Sequence, residues 1–324
     1  MAGFTDQSQA NLIRTQLWST HLKELLLDEL NAMKFVKILD QFPDGYTINI
    51  PSLGEAETAD FNENQAVRYN QFDTGNFQFS FDNYKYSANA ISEKFKRDSF
   101  YSSEVIAAFV PRQHRALMEA VETNIFAKAN AGQTVSNLNT INGASHRWVA
   151  AGAGQSLILA DFAKAQFALQ RANVPLNNLC AVVDPSVAYT LQTQANLVNL
   201  ITPIPQWGNV TTDGSMTGFK FKFNIFGFDI YISNYLPPCG ATGNGSETIN
   251  SISVTNGICN YFFSATPGDT TPWIGAFRQM PTVFSEFNKD LQQTEYLTIA
   301  EWGFKLYRPE NMVTILTSTS AVPA

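Results

Sequence analysis

The sequence predicts an α+β protein, and three observations carry that prediction. GNFQFSFDNYKYSA (75–88) alternates aromatic and polar residues with the period of a half-buried strand. SSEVIAAFVPRQHRALMEAVETNIFAKANA (102–131) keeps an apolar stripe at helical spacing over its whole length. From Ile158 onward, short apolar runs bounded by turn residues alternate with helical segments.

Taken in order, LWSTHLKELLLDELNAMKF (17–35) reads as an amphipathic helix with Leu22, Leu25, Leu26, Leu30 and Met33 on one stripe. GYTINIP (45–51) reads as a strand with Tyr46, Ile48 and Ile50 on one face, and Pro51 marks its end or a sheet edge. Residues 52–74 are polar and without period. In 75–88, Phe77, Phe79 and Phe81 share a face, while Tyr84 and Tyr86 fall one step out of phase. A bulge at Asp82-Asn83 would return them to that face. Residues 45–91 then form one long hairpin, each arm reaching roughly 45–50 Å at ~3.3 Å per residue. A lone two-stranded ribbon is marginal in water. Its aromatic face needs a cover, either the body of its own chain or a neighbouring chain. The ribbon's length and helical flanks favour the neighbour.

In the long helix, Ser102 or Ser103 supplies the N-cap, with Glu104 beside the positive end of the dipole. Ile106, Val110, Leu117, Val121 and Ile125 form its stripe, Pro111 should kink or divide it, and Gly132 ends it. Residues 132–157 read as loop. A helix over 159–175 offers Phe162, Ala163, Phe167 and Leu169 for burial. A strand at 179–185, a Pro-led helix over 185–200 and a loop at 203–218 follow. Two strand segments flank Gly227 within 218–237, and 240–251 reads as loop. Strands near 252–255 and 259–264 would join through Asn256-Gly257, and 282–316 holds two or three more.

With 324 residues, 44% hydrophobic and 15% charged, the chain can bury a large core. Aromatics at 13%, with 25 Phe, suit sheet-rich packing and wide contact surfaces. A net charge of −7 argues against a dedicated nucleic-acid reader, though a mildly acidic wall could enclose a polyanion without gripping it. No apolar run reaches the ~20 residues of a membrane span, and the N-terminus shows no signal-peptide pattern. Cys180, Cys239 and Cys259 form no metal or redox motif, which suggests free thiols in a reducing compartment.

Chemistry is sparse. His21, His114 and His146 share no metal-ligand spacing, and solvated or locally bonded side chains explain them. AGAGQS (151–156) lacks the Lys-Ser/Thr of a phosphate loop. No nucleophile elbow or defensible carboxylate pair occurs, so no catalytic, cofactor or metal residue is assigned. Lys220 and Lys222 alternate with Phe219, Phe221 and Phe223, a pattern that suits a strand with a solvated face better than a nucleic-acid groove.

The order of elements resembles the major capsid proteins of tailed bacteriophages, the Hong Kong ninety-seven type of fold. LWSTHLKELLLDELNAMKFVKIL resembles the N-terminal arm, and GYTINIPSLGE with FQFSFDNYKYSANAISE the extended loop, or E-loop. The 102–131 helix resembles the spine helix of the peripheral domain. FALQRANVPLNNLCAVVDPSVAYTL is the most specific match, with its ANVP turn, apolar strand and Pro-led helix. FGFDIYISNYLP resembles an axial-domain strand, and EWGFKLYRPENMVTIL the final peripheral strands with their RPE corner.

The resemblance implies an N-terminal arm (1–40), an E-loop (41–95), a peripheral domain with spine helix (96–175), a mixed α/β axial domain (176–275) and return strands of the peripheral domain (276–324). It implies a structural protein, not an enzyme, needing no cofactor. Copies would build pentamers and hexamers of an icosahedral shell around double-stranded DNA, without sequence-specific binding, in the virion after assembly in the host cytoplasm. A separate scaffolding protein and a portal are expected partners, and no membrane is. The E-loop would lie on an adjacent subunit, making Phe77, Phe79, Phe81, Tyr84 and Tyr86 inter-subunit contacts. Replacing Phe79 and Phe81 should then cost assembly more than subunit stability. Segment 38–84 contains no lysine, so the lysine–asparagine cross-link of some members is not expected. A bacterial nanocompartment shell shares the fold and is the near alternative. An α+β enzyme and a nucleic-acid-binding module are more distant ones.

Overall fold

The computed structural model describes residues 32–39, 45–53, 74–98, 102–193, 221–266 and 270–321, with single positions at 30, 58, 60, 63 and 66. Its strands are β1 (Val36–Ile38), β2 (Thr47–Leu53), β3 (Thr74–Ser80), β4 (Asn83–Ser92), β5 (Thr140–Ile141), β6 (Ala144–Ser145), β7 (Arg147–Val149), β8 (Leu179–Val183), β9 (Phe221–Ile225), β10 (Phe228–Ile232), β11 (Glu247–Ile249), β12 (Ile252–Val254), β13 (Gly257–Ser264), β14 (Trp273–Asn288), β15 (Gln293–Leu306) and β16 (Val313–Ser318). Its α-helices are α1 (Glu93–Asp98), α2 (Ser102–Ala131), α3 (Leu159–Arg171) and α4 (Pro185–Thr193). The α+β class and the order of ribbon, long helix and α/β region stand as the sequence indicates.

A four-stranded sheet runs β1-β14-β15-β4, and α2 lies against one face of it. The 30-residue helix is about 45 Å long and runs unbroken through Pro111, which faces solvent. Pro111 therefore does not divide the helix: it is exposed, so its ring needs room only on the outside. Leu117, Val121, Ile125, Phe126 and Ala129 are buried under Trp273, Trp302 and Phe304. Gln113, also buried, accepts from Thr298 Oγ1 at 2.9 Å and donates to the Tyr296 carbonyl at 3.2 Å, which fixes the helix to β15.

The second sheet has six strands in the order β7-β16-β13-β8-β10-β9. All of β8 is buried, as its unbroken run LCAVV requires of a strand covered on both faces. One face packs on α3 and α4 through Phe162, Leu169, Val187 and Leu191. Phe162, Phe228 and Phe262 meet edge to face there, 5.3 and 5.4 Å between centroids for the two pairs with Phe262. The other face joins the α2 core through Val182, Tyr261 and Phe263. The sheets do not follow sequence order: β7 from 96–175 and β16 from 276–324 both enter this sheet.

Several local expectations change. Asn256-Gly257 closes no hairpin; β12 turns back on β11 through Asn250 and Ser251, both at positive φ. Gly257 is small for a packing reason, since a Cβ there would lie 2.6 Å from Cys239 Sγ. The 132–157 stretch carries β5, β6 and β7, too short for periodicity to reveal. α3 stops at Arg171, leaving Ala163 and Phe167 exposed, because its buried stripe is Phe162, Ala165, Ala168 and Leu169. β14 begins well before 282, its alternation broken by register shifts between Phe277 and Thr282. The helix expected at 17–35 lies largely outside the described residues, with a 3₁₀ turn at Ala32–Phe35, and so does the loop at 203–218.

Candidate assembly face

The ribbon is shorter than the alternation implies. β2 and β3 pair from Thr47↔Ser80 to Leu53↔Thr74. The chain then leaves at Phe81-Asp82, and β4 joins β15 instead, from Asn83↔Trp302 to Ser92↔Gln293. So 45–91 is not one hairpin, and the phase break at Asp82-Asn83 is a change of sheet, not a bulge. A ladder inside a four-stranded sheet buries Ile91, which a free ribbon could not. The link is held down by Lys128 Nζ, 2.5 Å from Asp82 Oδ2 on an otherwise exposed surface.

Directly paired residues share a face of a sheet, which allows both faces of the four-stranded sheet to be read from the register. On β15, Thr298, Ala300 and Trp302 are buried beneath α2. Ile274, Ala276, Gly303 and Lys305 therefore belong to the opposite, outer face. The chain's own ribbon lies on this end of it. Phe79 and Phe81, 5% and 4% exposed, pack with Ile274 and Ala276. Phe77 is half-buried, edge-on to Tyr307 at 5.1 Å, with Lys305 Nζ 4.9 Å above its ring. Lys305 also donates to the Gln78 carbonyl at 2.8 Å. Gly303 makes the crossing possible: a Cβ there would sit 2.4 Å from the Ser80 carbonyl oxygen. The expectation that a neighbour covers Phe79 and Phe81 is thus corrected. Their own sheet does, because Gly303 lets the ribbon descend onto it.

Among the described residues, the remainder of the outer face is half-buried along β15 and exposed on the strands beside it. Tyr84 and Tyr86 are 61% and 68% exposed. The row Tyr86–Ile299–Thr282 crosses β4, β15 and β14, followed by Ala88–Leu297–Phe284, with Phe284 49% exposed. Tyr84–Glu301–Gln279 and Ala90–Glu295–Glu286 border these rows with carboxylates. Hydrogen bonds from Gln293 and Asn288 hold the Glu295 carboxyl below its ordinary pKa, so it is charged at neutral pH. The five aromatic residues singled out in the sequence therefore split: three lie under the ribbon, and Tyr84 and Tyr86 lie on the open patch. Sequence reasoning missed Phe284, Leu297 and Ile299. TEYLTIAEW shows an alternation of its own, but both of its faces are apolar, so the pattern does not say which one is open.

Away from this face a buried ionic network ties the long helix to the 238–256 loop region. Arg147 and Glu247 side chains have no exposure. Arg147 donates through Nε and Nη2 to the two carboxylate oxygens at 2.8 and 2.6 Å, and onward to Asn130 Oδ1 at 2.9 Å and Gln133 Oε1 at 3.3 Å. Glu247 also accepts from the Ser136 and Gly240 backbone N–H groups at 2.8 and 3.0 Å. Burial alone would raise its pKa, but these donors outweigh it and hold the carboxyl below the ordinary value.

Nothing nucleophilic is assembled among the described residues. The three cysteines are buried, and desolvation pushes the Cys180, Cys239 and Cys259 thiols up to about 12, 11 and 12. His146 is buried with Nδ1 facing the Ala144 carbonyl at 3.1 Å, and His114 is exposed. No group of His, Cys, Asp and Glu among the described residues is placed to hold a metal ion, and no helix among them is long and apolar enough to cross a membrane.

A family described as phage capsid protein matches residues 88–315. No curated protein matches. Among solved structures, a chain of Mycobacterium phage Che8 aligns with a TM-score of 0.68 at 15% identity, covering 94% of this chain and 97% of that one. The capsid of cyanophage P-SCSP1u aligns at 0.66 and 14%, covering 95% and 93%. The capsid of Ralstonia phage GP4 aligns at 0.65 and 9%, covering 99% and 100%. These likenesses establish a shared fold, and the family match extends over most of the chain from β4 to β16. This chain belongs to the phage capsid protein family.

Proposed function

We propose that this protein is the structural subunit of an icosahedral shell, assembled as pentamers and hexamers around double-stranded DNA. The observation that carries the reading is the half-covered sheet. A capsid-family chain seals one end of the outer face with its own ribbon and leaves Tyr84, Tyr86 and Phe284 exposed there, with half-buried Leu297 and Ile299 between them. Apolar patches of this kind on a soluble subunit mark protein contacts. An adjacent copy is the occupant this reading requires, with Tyr84 and Tyr86 as inter-subunit contacts. The acidic net charge suits a wall that holds a polyanion without adhering to it. A separate scaffolding protein and a portal complete the assembly, and the location is the virion, after assembly in the host cytoplasm.

The test is electron microscopy of the purified protein, paired with Tyr84→Ser/Tyr86→Ser. Wild type should give closed particles. The double variant should unfold at an unchanged temperature yet fail to assemble. Equal particle yields from both would remove the patch from the interface, and a wild type that stays monomeric at high concentration would remove the shell.

A further inference from the structure

The hairpin between β9 and β10 has a two-residue turn, Phe226-Gly227, since Ile225 pairs with Phe228. Both turn residues have positive φ, 50° and 80°, as in a type I′ turn. Glycine is free there, and Asn or Asp is the usual first residue because its short polar side chain tolerates the left-handed region. A phenylalanine in that region is a strained choice. The strain does not buy burial, because Phe226 is 49% exposed.

Two side-chain hydrogen bonds brace the turn. Asn224 Oδ1 accepts from the Gly227 N–H at 3.1 Å, and Asn224 Nδ2 donates to Asp229 Oδ1 at 2.8 Å. Ile225 and Phe228 on either side are buried, which roots the hairpin in the core. The turn sits at the end of the six-stranded sheet where β8 begins, Leu179 pairing with Phe228. The preceding loop, 172–178, brings Leu176 to the same end, 37% exposed. Neither PLNN (175–178) nor IFGF (225–228) carries a charge. Among the described residues β9 is the terminal strand of its sheet, so the turn lies at a corner of that sheet.

We propose that Phe226, with Leu176 at the same end of the sheet, is an anchor that each copy sets into an adjacent copy of the same chain. The proposal rests on the shell reading, in which each copy is surrounded by others. An aromatic held out on a preorganised turn has little conformational freedom left to lose on docking, which is the character of an interface hot spot. The strain is then a cost borne by the free subunit and offset in the assembly.

Phe226→Asn separates the possibilities, because it puts the preferred residue into the strained position. The dissociated subunit should melt higher, by about 2 °C. The concentration for half-assembly should rise at least about tenfold. Phe226→Tyr, which keeps the ring, should assemble as wild type does. A higher melting temperature with unchanged assembly would overturn the proposal, as the ring would be merely tolerated. A lower melting temperature would also overturn it, as the ring would be packing on its own chain. Particles formed equally well by Phe226→Asn remove this inference alone, whereas a wild type that forms none removes the shell reading with it.

Discussion

Replacing Arg147 with Met should be among the most damaging single changes available in this chain. Arg147 has no exposed side-chain area and donates to Glu247, Asn130 and Gln133. Met fills similar volume, so a large cavity is not created. What remains is a carboxylate with no exposure, supported only by the N–H groups of Ser136 and Gly240. Removing one partner of a buried ion pair costs about 3–5 kcal/mol. At an m-value of ~3 kcal/mol/M, the urea midpoint of the dissociated subunit should fall by about 1–2 M. Arg147→Met/Glu247→Leu removes both charges, and should recover most of that loss, because the desolvation of two ions is no longer needed. Equilibrium urea unfolding by tryptophan fluorescence reads both variants. Acid should mimic the single variant: Glu247 is held below its ordinary pKa, so its contribution is full above about pH 4.5 and fades as pH falls through the lowered folded value. A single variant within about 1 kcal/mol of wild type, or a double variant as unstable as the single, would refute this account of the network.

Phe79→Ala and Phe81→Ala should each cost about 3 kcal/mol of subunit stability by thermal or urea unfolding, the reverse of what a neighbour-covered ribbon would show. Gly303→Ala should cost roughly 2–3 kcal/mol, or lift the ribbon off the sheet, since its new Cβ meets backbone rather than a movable side chain; hydrogen exchange across 74–81 distinguishes the two. Burial holds the His146 pKa below the ordinary 6.5, so the folded chain resists a proton that the unfolded chain accepts. Stability should therefore be lost as pH falls through 6.5, and His146→Gln should flatten that part of the profile, measured as melting temperature against pH.

The sequence placed the long helix to the residue, because an uninterrupted stripe from Leu117 to Ile125 with a serine start and a glycine stop leaves little room for another reading. β8 and the start of the Pro-led α4 were also legible from an apolar run and a proline, though β8 ends two residues early and 194–200 of the expected helix lies outside the described residues. The candidate face was only half legible. Alternation identified Tyr84 and Tyr86 as a strand face, but which sheet they join depends on β15, two hundred residues away, and periodicity carries no information about partners. The same ignorance assigned Phe79 and Phe81 to a neighbour. Only the register at Gly303 shows that the ribbon descends on its own chain. The Asn256-Gly257 signal misled for a related reason: the dipeptide fits a tight turn, and here tertiary packing against Cys239 uses its smallness instead.

The open half of the outer sheet carries Glu286 and Glu295 among its apolar side chains, while Glu301 at its border is paired with Arg278 at 3.2 Å. Two such patches laid against each other would set carboxylate against carboxylate, which disfavours a twofold handshake. A patch that meets some other part of the next molecule makes a head-to-tail contact, in which every member gives once and receives once. A succession of that kind has no loose end only when it closes on itself, and the tally at closure is decided by the bend between neighbours, not by which side chains touch. Under the proposed shell, one polypeptide would occupy closed circuits of five or six members while keeping the same local chemistry in each.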